Sequence, residues 1–357
     1  MKYELPIKVF DFFCGCGGSS KGFQQAGADI VFVIDNDQDA KKTFEANFKN
    51  TPFLLKDIKN LTVEDLLPYI EKCQGHPILF SGCAPCQPFT KQNTLRRKID
   101  ERKDLLKEFC RFIVHFRPEF IFMENVPGLQ KVTSVDGYFP QFLTILEKLQ
   151  YHILYKIISA QDYGVPQKRR RLVLIASRLG EIEFCQPTHG PGTNNIEYST
   201  VKAWIGDLPP INAGESDSAD TIHRAASLSS TNLERVTALS EGEDRRKWPK
   251  HLQLTCHSHD YSGHTDVYGR MAWEKPANGL TTRCISLSNG RFGHPEQHRA
   301  ISVREAACLQ TFPRDFVFYG SLNSMARQIG NAVPVLLAER FGNNFVNHMK
   351  TYMEGKE

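Results

Sequence analysis

Residues 7–35 read IKVFDFFCGCGGSSKGFQQAGADIVFVID, and this stretch decides the fold. An apolar run at 7–13 ends in glycines, a helical stretch follows at 20–26, and a second apolar run at 30–34 closes on Asp35. The order is strand, glycine turn, helix, strand, which is how a parallel sheet with helical crossovers begins. Gly15, Gly17 and Gly18 permit a tight turn and let the backbone approach a ligand closely. Asp35 ends the second run at the spacing from which an acidic side chain reaches ribose hydroxyls. Taken alone, the loop also fits a plain strand-to-helix turn or another nucleotide fold, a dehydrogenase included.

The same alternation continues outward. Apolar runs at 53–55, 78–81, 120–124, 155–159 and 171–176 are separated by helical stretches at 39–47, 61–72, 103–116 and 139–149. This predicts an α/β fold, a doubly wound and mostly parallel sheet covered on both faces. From about residue 187 the composition turns to Gly, Pro, Asn, Ser and Thr, with weak helical pieces at 223–235 and 232–243, so a second, smaller, irregular domain begins there. Ser302 and Glu305 form a Ser-x-x-Glu capping box that opens a helix at 302–310. The stretch 334–350 is apolar on one helical face and is expected to pack back on the first domain. The predicted division is 1–185 with 326–357 in one domain, and 186–325 in the other.

A length of 357 residues fits two domains. With 44 basic and 40 acidic residues the formal charge is only +4, so any nucleic-acid surface must be local. The densest surplus lies at 91–103, where Lys91, Arg96, Arg97, Lys98, Arg102 and Lys103 face only Asp100 and Glu101. No apolar run is long enough to span a membrane and no signal-peptide layout opens the chain, so an intracellular, soluble protein is expected. Ten scattered cysteines do not resemble a secreted disulfide framework. Cys83 and Cys86 form a CxxC without a second pair at ribbon spacing, and Cys256 with His257, His259 and His264 fits an ordinary histidine-rich polar loop, so no metal is expected.

The chemistry concentrates in three segments. In SGCAPCQPFT (81–90), Cys86 follows the fourth strand, at the sheet edge where ligands of open parallel sheets bind, between Pro85 and Pro88. Glu124 ends the fifth strand in MENV, and QKRRR (167–171) places Arg169 and Arg171 on one side of a strand start. A buried structural cysteine, an ordinary ion-paired glutamate and a solvated basic run are the bland alternatives. Together, however, a thiol, a carboxyl and two guanidinium groups make a reactive site, and the family that these segments resemble uses such a set on a pyrimidine. A thiolate adding to carbon 6 breaks the ring's conjugation and makes carbon 5 nucleophilic. A carboxylic acid at ring nitrogen 3 takes up the developing charge, and burial is expected to keep Glu124 protonated for that task.

These segments, with DFFCGCGGSSKGF (11–23), Thr281-Thr282-Arg283 and QIGNAVPVLLAERF (328–341), occur in the order seen in cytosine-5 DNA methyltransferases. The chain resembles that family over nearly its whole length, residues 186–272 excepted. The resemblance implies a Rossmann-like methyltransferase fold and S-adenosylmethionine as cofactor. Phe13 would pack on the cofactor above the turn of Gly15, Gly17 and Gly18, Asp35 would hold its ribose, Asp57 and Ile58 its adenine, and Asn331 would help build the pocket. It likewise implies catalysis by Cys86 and Glu124, with Arg171 on the base's carbonyl oxygen and Arg169 supporting the Cys86 loop. Gln87, Asn125, Gln167, Lys91, Arg96 and Arg97 fall among the substrate contacts. Asp35 stands where the family usually has Glu, Ala84 where it has Pro or Phe, and Cys14 and Cys16 are small, uncharged departures.

The implied substrate is double-stranded DNA with the target cytosine rotated out of the stack. The irregular domain would be the target-recognition domain and hinge, with Arg224, Arg245, Arg246, Lys247, Lys250, His257, His259, Tyr261 and Arg270 as candidate contacts. A monomer in the bacterial cytoplasm, associated with the nucleoid through DNA and with a cognate restriction endonuclease as partner, is the expected setting. An RNA cytosine-5 methyltransferase and a catalytically silent DNA-binding relative are the rival readings.

Overall fold

The computed structural model describes residues 3–84, 105–129, 138–192, 196–254 and 265–355. It divides into two compact units, Met1–Ser159 with Arg170–Gln186 and Val333–Glu357, and Ala160–Arg169 with Pro187–Ala332. Residues 160–169 and 326–332, expected in the first domain, therefore group with the second unit.

The first unit contains a seven-stranded sheet. Its strands are β1 (Lys8–Phe12), β2 (Asp29–Asp35), β3 (Phe53–Leu55), β4 (Ile78–Gly82), β5 (Phe120–Asn125), β6 (His152–Ser159) and β8 (Arg170–Ser177), in the order β3-β2-β1-β4-β5-β8-β6. Strands β1 to β5 pair in parallel, and β8 runs antiparallel to both β5 and β6. Winding changes direction between β1 and β4, and ligands of such sheets bind at the carboxyl ends beside that point. The helices are α1 (Gly18–Gln25), α2 (Gln38–Asn47), α3 (Val63–Glu71), α4 (Leu105–Phe116), α5 (Phe139–Lys148) and α10 (Val335–Glu354).

Apolar strand runs form here because helices cover both faces, so strands need not alternate; all six residues of β5 are buried. Between sheet and helices, Phe12 packs on Phe80 at 5.1 Å, on Phe109 at 5.2 Å and on Phe112 at 5.5 Å between ring centroids. Burying each such ring contributes about 1.5–3 kcal/mol. Gly82 ends β4 because a Cβ there would stand 2.4 Å from the Phe109 ring. Helix α10 docks on α1, as its apolar face predicts, and comes so close that a Cβ on Gly22 would lie 2.3 Å from the carbonyl oxygen of Val335.

The second unit is built differently. Short helices α6 (Val201–Ile205), α7 (Ser230–Thr237), α8 (Val303–Leu309) and α9 (Leu322–Asn331) stand among loops, with a two-stranded pair of β7 (Gln167–Lys168) and β9 (Ala277–Asn278). The capping box on α8 is formed as the sequence implies: Ser302 accepts from the Glu305 amide at 3.0 Å, and Glu305 accepts from the Ser302 amide at 2.7 Å. Much of the interior is polar. Arg299 meets Glu305 through two contacts of 2.7 Å, and both side chains are buried. Arg270, an expected DNA contact, is 1% exposed and donates instead to the carbonyls of Val236, His294 and Gln297. A guanidinium supplies five donors in one plane, which suits a loop-rich interior full of unpaired carbonyls. Among the described residues no helix is long and apolar enough to cross a membrane.

Candidate active site

At the carboxyl end of β1 the chain turns sharply, with Phe13 at φ 60°, Gly15 at 52° and Gly17 at 94°. A phenylalanine in the left-handed region is strained, and such strain persists where surrounding contacts fix it and concentrates at ligand sites. Two carboxylates supply the contacts. Asp35 accepts from the Gly15 amide at 2.9 Å and the Asp37 amide at 3.0 Å. Asp11, fully buried on β1, accepts from the hydroxyls of Ser19 at 2.7 Å and Ser20 at 2.6 Å in the first turn of α1. Burial raises both carboxyls above the ordinary aspartate range, and the hydrogen bonds they accept offset part of the rise.

The loop fits a nucleoside cofactor. A Cβ on Gly15 would meet nothing within 4 Å, leaving room beside the backbone. The amide bonds leave Asp35 with acceptor capacity for a hydroxyl, because a carboxylate accepts about four hydrogen bonds. Asp57 caps the short helical turn Ile58–Asn60 by accepting from the Lys59 amide at 2.9 Å. Ile58, at 4% exposure, packs its side chain into the aromatic core beside Asp57. Asn331, the exposed last residue of α9, lies in the second unit.

On the neighbouring strands the structure brings Glu124 and Arg171 together, with Nε of Arg171 2.8 Å from Oε1 of Glu124. Antiparallel pairing of β5 and β8 produces the contact, since Asn125 opposes Leu172 and Arg171 is the next residue. Glu124 is thus paired with a guanidinium rather than set in an apolar pocket. Asn125 is buried and donates to the Ala84 carbonyl at 3.0 Å, while its own oxygen accepts from the Val126 amide at 2.8 Å. It braces the chain just where the segment carrying the thiol begins. Cys86, Gln87, Lys91, Arg96 and Arg97 lie outside the described residues, as do His257, His259 and Tyr261. Burial, with the Glu124 charge next in importance, pushes the nearby Cys83 thiol well above its ordinary value.

Arg169 and Arg171 do not share a strand. Strand β8 starts at Arg170, and Arg169 is 3% exposed within the second unit, donating to the carbonyls of Leu280 and Gly330, each at 3.1 Å. Gln167 is also fully buried: it donates to the Leu309 carbonyl at 2.9 Å and to Oε1 of Gln310, and accepts from the Leu280 amide at 3.1 Å. Its amide is thus hydrogen-bonded within the unit through both its nitrogen and its oxygen. Reading from the sequence missed Asp11, Ser19, Ser20 and Gln310; adjacent serines opening a helix after a strand aspartate were the available signal for the first three. Among the described residues no cluster of three or more His, Cys, Asp or Glu could hold a metal ion.

Residues 7–347 match the family model for C-5 cytosine-specific DNA methylase. The chain belongs to this family. Like other C-5 cytosine-specific DNA methylases it is a DNA cytosine-5-methyltransferase, and enzymes of this family use S-adenosylmethionine as methyl donor. It is 41% identical over 353 residues to the type II methylase M.HgiDII of Herpetosiphon aurantiacus, covering 97% of this chain and 96% of that one. It is 35% identical over 341 residues to the type II methyltransferase M1.HphI of Haemophilus parahaemolyticus, covering 94% and 86% respectively. These relatives place this C-5 cytosine methylase with the restriction-modification type. A putative DNA modification methyltransferase encoded within an E. coli prophage shares the fold, with a TM-score of 0.74 over 97% of this chain and 100% of that one at 24% identity.

Proposed function

We propose that this methyltransferase modifies carbon 5 of a cytosine turned out of duplex DNA, within one short sequence, through a transient bond between Cys86 and carbon 6. The observation that carries the reading is the Glu124–Arg171 pair at 2.8 Å beside the Asn125 brace on Ala84. One edge of cytosine presents an amine, a ring nitrogen and a carbonyl oxygen in a row. Glu124 matches the first two and Arg171 the third, so adjacent side chains read one edge.

The Cys86 thiolate adds to carbon 6, the double bond to carbon 5 opens, and charge moves toward ring nitrogen 3, where Glu124 supplies a hydrogen bond or proton. S-adenosylmethionine, when bound, supplies the methyl group. A water then removes the proton from carbon 5, the double bond re-forms, and the sulfur departs as thiolate. Gly15, Gly17, Asp35 and Asp57 hold the donor on this reading, and Phe13 packs on it. Residues 186–325 act as the target-recognition domain and hinge, with the exposed Arg246, Lys247 and Lys250 available to phosphates. The type II relatives support a cognate endonuclease as partner, and a monomer is the active form.

Labelled methyl transfer to duplex DNA and to transfer RNA tests the proposal. DNA is methylated, RNA is not, and Glu124→Gln lowers kcat on DNA by about 100-fold, the usual worth of a positioned acid. Preference for RNA, or full activity of Glu124→Gln, overturns it.

A further inference from the structure

Gln310 has no assigned part in the reaction, yet it is fully buried at the centre of the contacts that fix the run from Gln167 to Arg169. Its Nε2 donates to the carbonyls of Ile329 at 3.0 Å and Ala332 at 2.5 Å. Because only the amide nitrogen can face two carbonyls, its Oε1 must face Gln167, which donates to it. Gln167 is oriented in turn by the Leu309 carbonyl and the Leu280 amide. Two side-chain amides thus tie four backbone segments together, and neither can flip without setting like against like. Glutamate at 310 would place a carboxylate against carbonyl oxygens, and asparagine is too short to bridge. The packing around the bridge is equally exacting: a Cβ on Gly330 would stand 2.1 Å from the Thr281 carbonyl oxygen, and one on Gly279 would stand 3.2 Å from that of Lys168.

The run that Gln310 anchors leads straight into the catalytic pair. The chain leaves β6 after Ser159 and enters β8 at Arg170, positions that face each other across those strands, and the Ala160 amide donates to the Arg169 carbonyl at 2.8 Å. The intervening loop buries Ala160, Tyr163 and Val165 beside the amide bonds of Gln167, and it hands the chain to Arg171, the partner of Glu124. We infer that Gln310 is a positioning residue for methyl transfer, acting through Gln167 on the loop that delivers Arg171. The inference rests on the role proposed above for Arg171.

The test uses the full chain, duplex DNA and S-adenosylmethionine, with kcat, KM for DNA and the thermal midpoint measured for wild type, Gln310→Met, Gln167→Met and the double variant. Each single change lowers kcat by about tenfold while KM for DNA stays within about twofold, since misplacing a group that acts in the transition state affects kcat first. The double variant is no slower than the worse single, because both changes break one bridge. Should Gln310→Met fail to fold, Gln167→Met carries the same kcat-against-KM test. A lower midpoint with unchanged kcat well below it, or losses that multiply in the double variant, overturns the inference. A wild-type protein that transfers no methyl to DNA sinks the proposed function instead.

Discussion

In the first unit the space between sheet and helices is filled by Phe10, Phe12, Phe32, Phe80, Phe109 and Phe112, whereas in the second Arg270 and Arg299 are wholly buried among loops. Rings suit the first because regular strands and helices satisfy their own backbone groups and need only apolar filling. Loops leave carbonyls unpaired, and a buried guanidinium answers several at once. The difference has a mechanical consequence. A ring can be traded for another apolar group at moderate cost, but an arginine inside a loop bundle cannot lose its partner without leaving a charge stranded.

Four experiments probe that contrast. Arg299→Met leaves the Glu305 carboxylate buried without its guanidinium, so the second unit should lose about 3–5 kcal/mol in denaturant unfolding. A loss under about 1 kcal/mol would show that apolar filling serves there as well.

The pH response is the next largest. Burial pushes His294 down to about 4, opposed by Glu305 and assisted by Arg299 and Arg270. The unfolded chain binds a proton at this histidine near its ordinary value, and the folded one does not until about pH 4. Stability is therefore complete above about 6.5 and is lost as pH falls toward 4. Between pH 7 and 5 the wild type should lose roughly 2 kcal/mol more than His294→Gln; equal losses would contradict the assigned burial.

Gly82→Ala tests the ring-filled unit by pressing a methyl against Phe109. A loss of about 1–3 kcal/mol is expected from overpacking, and no loss would mean the rings are loosely held. The smallest effect is Ser302→Ala, which removes one arm of the capping box on α8 and should cost about 1 kcal/mol.

The contrast also explains what could be read from the sequence. The strands and helices of the first unit were legible because apolar runs and glycine turns carry the whole signal, and the capping box at Ser302 and Glu305 marked α8. Helix α9 was not predicted, although Ser321 caps it by accepting from the Ser324 amide at 3.2 Å. Arg270 read as a phosphate contact because sequence alone cannot separate a guanidinium that meets carbonyls from one that meets DNA. Arg169 and Arg171 were grouped by spacing, yet one turns into the second unit before the strand that bears the other begins. Asp11 was overlooked for the opposite reason: its signal, two adjacent serines opening the helix after an aspartate in an apolar strand, lies in another element of the chain.

The proposed chemistry turns on Cys86, and a duplex oligonucleotide carrying 5-fluorocytosine at the target position addresses it most directly. Fluorine cannot leave as the proton does, so the enzyme should stall as a denaturation-resistant conjugate after methyl transfer, with peptide mapping placing the bond on Cys86 and Cys86→Ser giving none. Efficient methylation of ordinary DNA without any such conjugate, or a bond to another residue, would contradict the account.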